Sequence, residues 1–322
     1  MQKLPDFAYQ LQGDQAEDNF IRIGTVDKGN ETKTILSGLM KNFFTTNPVY
    51  QEMKNILAQE GVAIGADDFN TSRLSALKGN DNGGAYIAGT GCIVLDKDMV
   101  NTQSIAHVEK LISLLGFFAH EMTHAVHDCQ GLVSVTPADM NKKDYVQNHM
   151  ATEAAAYANT ILAHWNLSYD EPLAEQIPAL KSLWPSIERY DVNTMNAAGK
   201  SFHDARLAFG AAAKNTTPAD LGAAWKAAFI SFFAEGDYLP LAYLDHMAGN
   251  YESAKGRLSE EFMQAQKISF DEKRLAAFMR VPGLKVKTDP AELSNILKRH
   301  RDLLSRAPYQ KHFSFSGPFS AI

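Results

Sequence analysis

The stretch Phe117-Phe118-Ala119-His120-Glu121-Met122-Thr123-His124-Ala125-Val126 limits what this chain can be more than any other. Its two histidines are four residues apart, so on a helix they leave one face about 6 Å apart along the axis. Imidazoles placed in this way can bind one zinc ion through bonds of about 2.0–2.1 Å. Glu121 directly follows the first histidine, where it can act as general base toward a water that the metal activates. The flanking residues require burial: Ile105, Val108, Leu111, Ile112, Leu114, Leu115, Phe117, Phe118, Met122, Ala125 and Val126 cover nearly the whole helical circumference. A helix apolar on all sides belongs in a core. Two histidines and a glutamate inside it are costly unless partnered. A metal is one such partner, and hydrogen bonds to protein groups are the other.

A chain of 322 residues with 45% hydrophobic content can bury a substantial core, as one large domain or two packed lobes. Its net charge of −6 and the lack of a Lys/Arg block argue against a nucleic-acid partner. The first twenty residues carry acidic groups throughout and show no basic start followed by an apolar run, so no Sec-type signal peptide is expected. No apolar stretch approaches the roughly 20 residues of a membrane span. Cys92 and Cys129 are the only cysteines, which excludes a disulfide framework and a Cys-rich zinc module. The expectation is a soluble protein made in a reducing cytosol, with export by a signal-less route as the alternative.

Periodicity and turn chemistry predict an α+β, predominantly helical chain. Residues Met1 to Asp18 read as a polar lead-in and Phe20 to Ile23 as a short strand. Amphipathic helices are predicted over Thr34–Phe44 and Val49–Gln59, with a strand at Val62–Ile64 and a loop over Lys78–Gly84. Ala85–Ala88 and Cys92–Leu95, joined by Gly89-Thr90-Gly91, predict a β-hairpin. The long helix, residues 103–130, should begin near Thr102 or Ser104 and end at Gly131. From Thr136 onward the pattern is helical: Val146–Leu167, Pro172–Trp184, Val192–Ala213, Pro218–Ala234, Leu239–Met247, Ala254–Gln266, Asp271–Met279 and Pro290–Arg306. Trp165, Trp184 and Trp225 read as core, and the aromatic tail after Pro308 as docked on the body. The chain divides on this reading into an N-terminal subdomain, residues 1–135, carrying the hairpin (85–95), and a helical subdomain, residues 136–322.

A catalytic zinc takes three protein ligands and keeps one position open. His127 lies about 10 Å along the axis from His120, too far to share one tetrahedral ion easily, and reads as a supporting or surface residue. Glu153 stands 29 residues after His124 on a helix of small residues, Ala151-Thr152-Glu153-Ala154-Ala155-Ala156, that can approach another helix closely. It is the preferred third ligand, with His149 as the alternative.

His120-Glu121-x-x-His124 followed by a helix-borne Glu153 resembles the gluzincin clan of zinc metallopeptidases, the thermolysin-like group. The likeness covers roughly residues 85–160. It implies a zincin-like fold in which a strand-and-turn segment precedes the active-site helix and offers an open edge to an extended peptide. Within the clan, the order of Gly-Thr-Gly hairpin, helix and Glu is most similar to small bacterial metallopeptidases, including some injected effectors. Thermolysin-type members carry an Asp four residues after the Glu; here that position is Tyr157. Asp128, Asp144 or a backbone carbonyl would then have to orient a ligand histidine. The resemblance implies peptide hydrolysis with zinc on His120, His124 and Glu153, Glu121 as general base, and a protein or peptide substrate. Tyr157, His203, Tyr238, Tyr243, His246 and Tyr251 are open candidates for stabilising the oxyanion. The competing readings are a zincin-fold binding protein without activity, and an HExxH hydrolase of a non-peptide substrate.

Overall fold

The computed structural model describes residues 8–10, 47–67, 83–88, 91–96, 108–169, 171–176, 178–187, 197–214, 221–235, 247–253, 256 and 268–305. Helices predominate and one small sheet accompanies them, so the chain is α+β. Helix α1 (Pro48–Gln59) starts where the Asn47 side chain accepts the N–H of Val49 and where proline's missing N–H costs nothing. It buries Val49, Tyr50, Met53 and Leu57 on one stripe. Gly61, at φ +69°, then turns the chain into the sheet.

The sheet has the order β1-β2-β4-β3, with β1 (Ala8–Gln10), β2 (Ala63–Asp67), β3 (Gly84–Ile87) and β4 (Cys92–Asp96). Strands β2 and β4 run parallel, and β1 and β3 flank them antiparallel. The predicted hairpin is present, with Gly91 at φ +60° in its turn and Tyr86 opposite Ile93. Alternation sends Ala63, Cys92 and Val94 to one face, packed with Ala85 and Ile87, and Ile64, Ile93 and Leu95 to the other. Strand β1 corrects the reading of residues 1–18 as a polar lead-in without a strand. It has only three residues and takes its conformation from pairing with β2.

Helix α2 (Val108–Cys129) carries the histidine motif and gives way to Gly131 at φ +70°, as predicted. Helix α3 (Lys142–Ser168) follows. The single helix predicted over Pro172–Trp184 is instead three short pieces: α4 (Glu171–Gln176), a 3₁₀ turn (Pro178–Ser182) and α5 (Leu183–Ile187). Pro178 cannot donate to the preceding turn, and Pro185 is tolerated because it lies in the first turn of α5. Then come α6 (Ala197–Ala213), α7 (Gly222–Ile230) running into a π-turn (Ser231–Glu235), α8 (Glu272–Phe278) and α9 (Pro290–Leu304). Residues 247–253 are also helical. Asp271 and Asp289 cap α8 and α9 through their side chains. The expectations for 20–23, 34–44, Leu239–Met247 (apart from Met247, which is helical), Ala254–Gln266 (apart from Gly256, in a turn) and the tail fall outside the described residues. Among those described, no helix is long and apolar enough to cross a membrane.

Two compact units result. One comprises Met1–Gly131, Ala156–Tyr190 and Val281–Lys285, and the other Leu132–Ala155, Asp191–Arg280 and Val286–Ile322. In the first, Met53, Leu57, Ile64, Ile93, Phe118 and Met122 are fully buried. In the second, Trp225, Phe229 and Phe233 stack along one face of α7 and the π-turn, and Phe270 and Phe278 extend the row. Trp184 and Trp225 are core residues as expected, whereas Trp165 is only half-buried, edge-on to Trp184.

Candidate metal centre

The helix that carries both histidines, α2, packs on the second half of α3. Gly116, one turn before His120, has no room for a side chain: a Cβ there would lie 2.6 Å from His164 Nε2 and 3.2 Å from Thr160 Cγ2. The Thr160 hydroxyl donates to the Gly116 carbonyl at 3.2 Å. One turn past His120, Asn159 Nδ2 donates to Thr123 Oγ1 at 2.8 Å, and that hydroxyl donates to the Ala119 carbonyl. Tyr50, on α1, donates its hydroxyl to the Asn159 carbonyl at 2.9 Å. Both Thr123 and Asn159 are buried, so each lost bond would strand a polar group away from water. This polar line fixes the register of the two helices.

With that register, His120, His124 and Glu153 each offer one donor atom, and the three atoms lie within 4.8 Å of one another. It is the only such group among the described residues. All three side chains are partly accessible. Two imidazole nitrogens and one carboxylate oxygen form a donor set that could hold a metal ion such as zinc. A tetrahedral ion with bonds near 2.0–2.1 Å spaces its donors about 3.3 Å apart, so side-chain rotation of about 1.5 Å closes the set. The residues fit the ion. Tyr157, one turn after Glu153, presses edge-on against His120, with ring centroids 4.8 Å apart, and His120 and His124 are themselves 4.7 Å apart.

Glu121 points to the sheet rather than along the helix. Its Oε2 accepts the backbone N–H of Tyr86 at 2.6 Å, and the residue is only 7% exposed. The β3/β4 register makes Ala85–Val94 a bonded pair and turns the N–H groups of Gly84 and Tyr86 outward. The Tyr86 phenol donates to Asp128 Oδ2 at 2.8 Å, and burial followed by that carboxylate holds its pKa well above the ordinary range. Nothing in the local residue pattern marks Gly83 and Gly84 as more than turn formers. A Cβ on Gly83 would fall 2.5 Å from the Phe117 ring, and one on Gly84 would fall 3.2 Å from Glu121 Cγ. These two glycines let β3 lie directly on α2. Runs of Asn, Asp and Gly predict a turn, but a close approach leaves no mark in one sequence.

The other candidates sit as follows. His127 is buried, not at the surface, and burial together with the neighbouring His124 pushes its pKa down to about 3. His149 lies against Tyr145, with ring centroids 4.4 Å apart, and is not in the donor group. Asp128 accepts from Tyr86, and Asp144 accepts from Asn141 at the start of α3. His203 is buried in α6, and Tyr251 is buried against Tyr145. Tyr238, Tyr243 and His246 lie outside the described residues. No family model, curated protein or solved structure matches this chain.

Proposed function

We propose that the chain is a zinc-dependent metallopeptidase of gluzincin type, built on a zincin-like fold, that hydrolyses peptide bonds in a protein or peptide substrate held in extended form. The observation that carries this reading is the meeting of His120, His124 and Glu153 within 4.8 Å on two packed helices. Zinc, when bound to these three residues, supplies Lewis acidity, lowering the pKa of a water and polarising the scissile carbonyl. Glu121 takes the proton from the attacking water and passes it to the leaving amine. Of the two outward N–H groups of β3, that of Tyr86 is held by Glu121, and that of Gly84 is the one that would meet the extended backbone of the substrate. Among the described residues, Tyr157 is the oxyanion candidate packed on His120.

Elemental analysis of the wild type beside His120→Ala and Glu153→Ala tests the ligand set. About one zinc per chain, lost in both variants, is expected. Zinc retained by Glu153→Ala would remove Glu153 from the set. Glu121→Gln should keep its metal and lose peptidase activity by about 10²-fold or more. Full activity in that metal-loaded variant would end the general-base assignment.

A further inference from the structure

Tyr86 is fastened to α2 at two points. Its backbone N–H meets Glu121, and its phenol meets Asp128. Glu121 and Asp128 are two helical turns apart, hence on one face of α2, roughly 10 Å from each other along the axis. One residue of the edge strand therefore lies along that face from the candidate general base to the end of the helix. On its other side β3 is secured by β4, and Gly83 and Gly84, just before Ala85, add no side-chain anchor. The phenol of Tyr86 adds a side-chain tie to α2 beside the direct packing of Gly83 and Gly84 on that helix.

We infer that Tyr86 is a positioning residue for Glu121: the Tyr86–Asp128 hydrogen bond holds the Tyr86 N–H against Glu121 Oε2, which aims the other carboxylate oxygen at the water. This rests on the peptidase reading for its catalytic meaning but not for its geometry. A carboxylate with one oxygen held by a fixed donor has lost most of its rotation about the terminal torsion, which is otherwise broad. Preorganisation of this kind is worth about tenfold or more when a general base must meet a proton at a set distance.

The full-length chain labelled with ¹⁵N-tyrosine gives a direct readout. Tyr86→Phe removes one amide peak and so assigns Tyr86. In the wild type that proton should be far downfield, because its acceptor is a charged oxygen at short range, and it should move upfield in Glu121→Gln. Asp128→Ala should also move it upfield and speed its hydrogen exchange about tenfold, whereas Asp128→Asn, which keeps an acceptor of the same shape, should stay near the wild type. An amide unchanged in shift and exchange by Asp128→Ala would overturn the inference, whatever the enzyme does. In turnover, Tyr86→Phe and Asp128→Ala should each lower kcat about tenfold with KM within twofold and zinc content unchanged. A kcat equal to wild type in both would overturn it as well. A wild type without peptidase activity, but with a Tyr86 amide that answers to Asp128→Ala, would refute the peptidase reading and uphold the tether. Should Tyr86→Phe fail to fold, the Tyr86 amide is the tyrosine peak that moves in Glu121→Gln, and the contrast of Asp128→Ala with Asp128→Asn keeps the test decisive.

Discussion

Replacing Gly116 with alanine sets two opposing effects against each other. Within a helix, alanine is favoured over glycine by about 1 kcal/mol because the unfolded glycine has more conformational freedom to lose. Against this, the new Cβ would stand 2.6 Å from His164 Nε2, 3.3 Å from His164 Cε1 and 3.2 Å from Thr160 Cγ2. Ordinary carbon contacts begin near 3.5 Å, so the imidazole must withdraw by about 1 Å. His164 is only 8% exposed, so its ring has packed neighbours where it would have to go. Overpacking of this kind costs about 1–3 kcal/mol. The clash wins, and the net loss should be about 1 kcal/mol, or about 2–4 °C in Tm for a chain of this size class. A second consequence reaches the donor group. Gly116 and His120 are one turn apart on α2, so helices spread at Gly116 are spread beside a histidine whose donor set is already 4.8 Å wide. Zinc affinity should fall about tenfold, the lower end of what supporting residues contribute. Thermal melts of metal-free protein give the first number, and competition with a chromophoric chelator gives the second. A Gly116→Ala protein more stable than wild type would show that helix propensity prevails and that α2 and α3 are not at their contact limit there.

Three further outcomes are expected. His300 is fully buried, stacked on Phe233 at 4.0 Å with Gln147 and Met150 at its ring nitrogens, and burial, then the charges of Lys143 and Arg301, lower its pKa to about 3. Because the folded value lies below the unfolded 6.5, the stability is full above about pH 6.5 and is lost as pH falls, at about 1.4 kcal/mol per unit. Urea unfolding at pH 7.5 and pH 5 should therefore differ by about 2 kcal/mol more in wild type than in His300→Phe, and equal differences would contradict the assignment. Gly283→Ala should cost about 2 kcal/mol or more, since φ is +70° and a Cβ would meet the Pro48 carbonyl oxygen at 2.3 Å; a denaturation midpoint within error of wild type would disprove this. Zinc added at a thousandfold excess over its Kd should stabilise the metal-stripped wild type by about 4 kcal/mol and leave His120→Ala unmoved, and a melting temperature indifferent to zinc would count against the site.

The elements that could be read from sequence were those whose residues carry local signals. The glycine turn at Gly91 and the stop at Gly131 are marked in the sequence by the residues that make them. Each works through its own backbone or its nearest neighbours. The helix character of residues 108–129 followed from apolar residues on every side. What was not legible depends on partners distant in the chain. Ala8–Gln10 is a strand only because β2 offers its edge. Gly84 and Gly116 look like any loop glycine and any helix glycine until the opposing atoms of Glu121 and His164 are in place. The use of Tyr86 needed both the register of β3 and the side of α2 on which Asp128 emerges. Glu153 was approached by its spacing and its alanine-rich surroundings, yet spacing alone could not choose it over His149. That choice depends on which side of α3 turns toward the histidines.

Helix α3 gives Lys142–Ala155 to one compact unit and Ala156–Ser168 to the other, with no break in its hydrogen bonding. Each unit also recruits its chain from three separate stretches. No single peptide bond can therefore be cut to release one unit whole. Nor can half of the gene be expressed to give an intact partner for the other half, because either piece would end in an orphaned length of α3. Helix formation is cooperative, so melting in one unit strips hydrogen bonds from the first turn of the other's share. The two units should consequently unfold in a single transition, and a protease acting on the native chain should yield nicked but undivided protein.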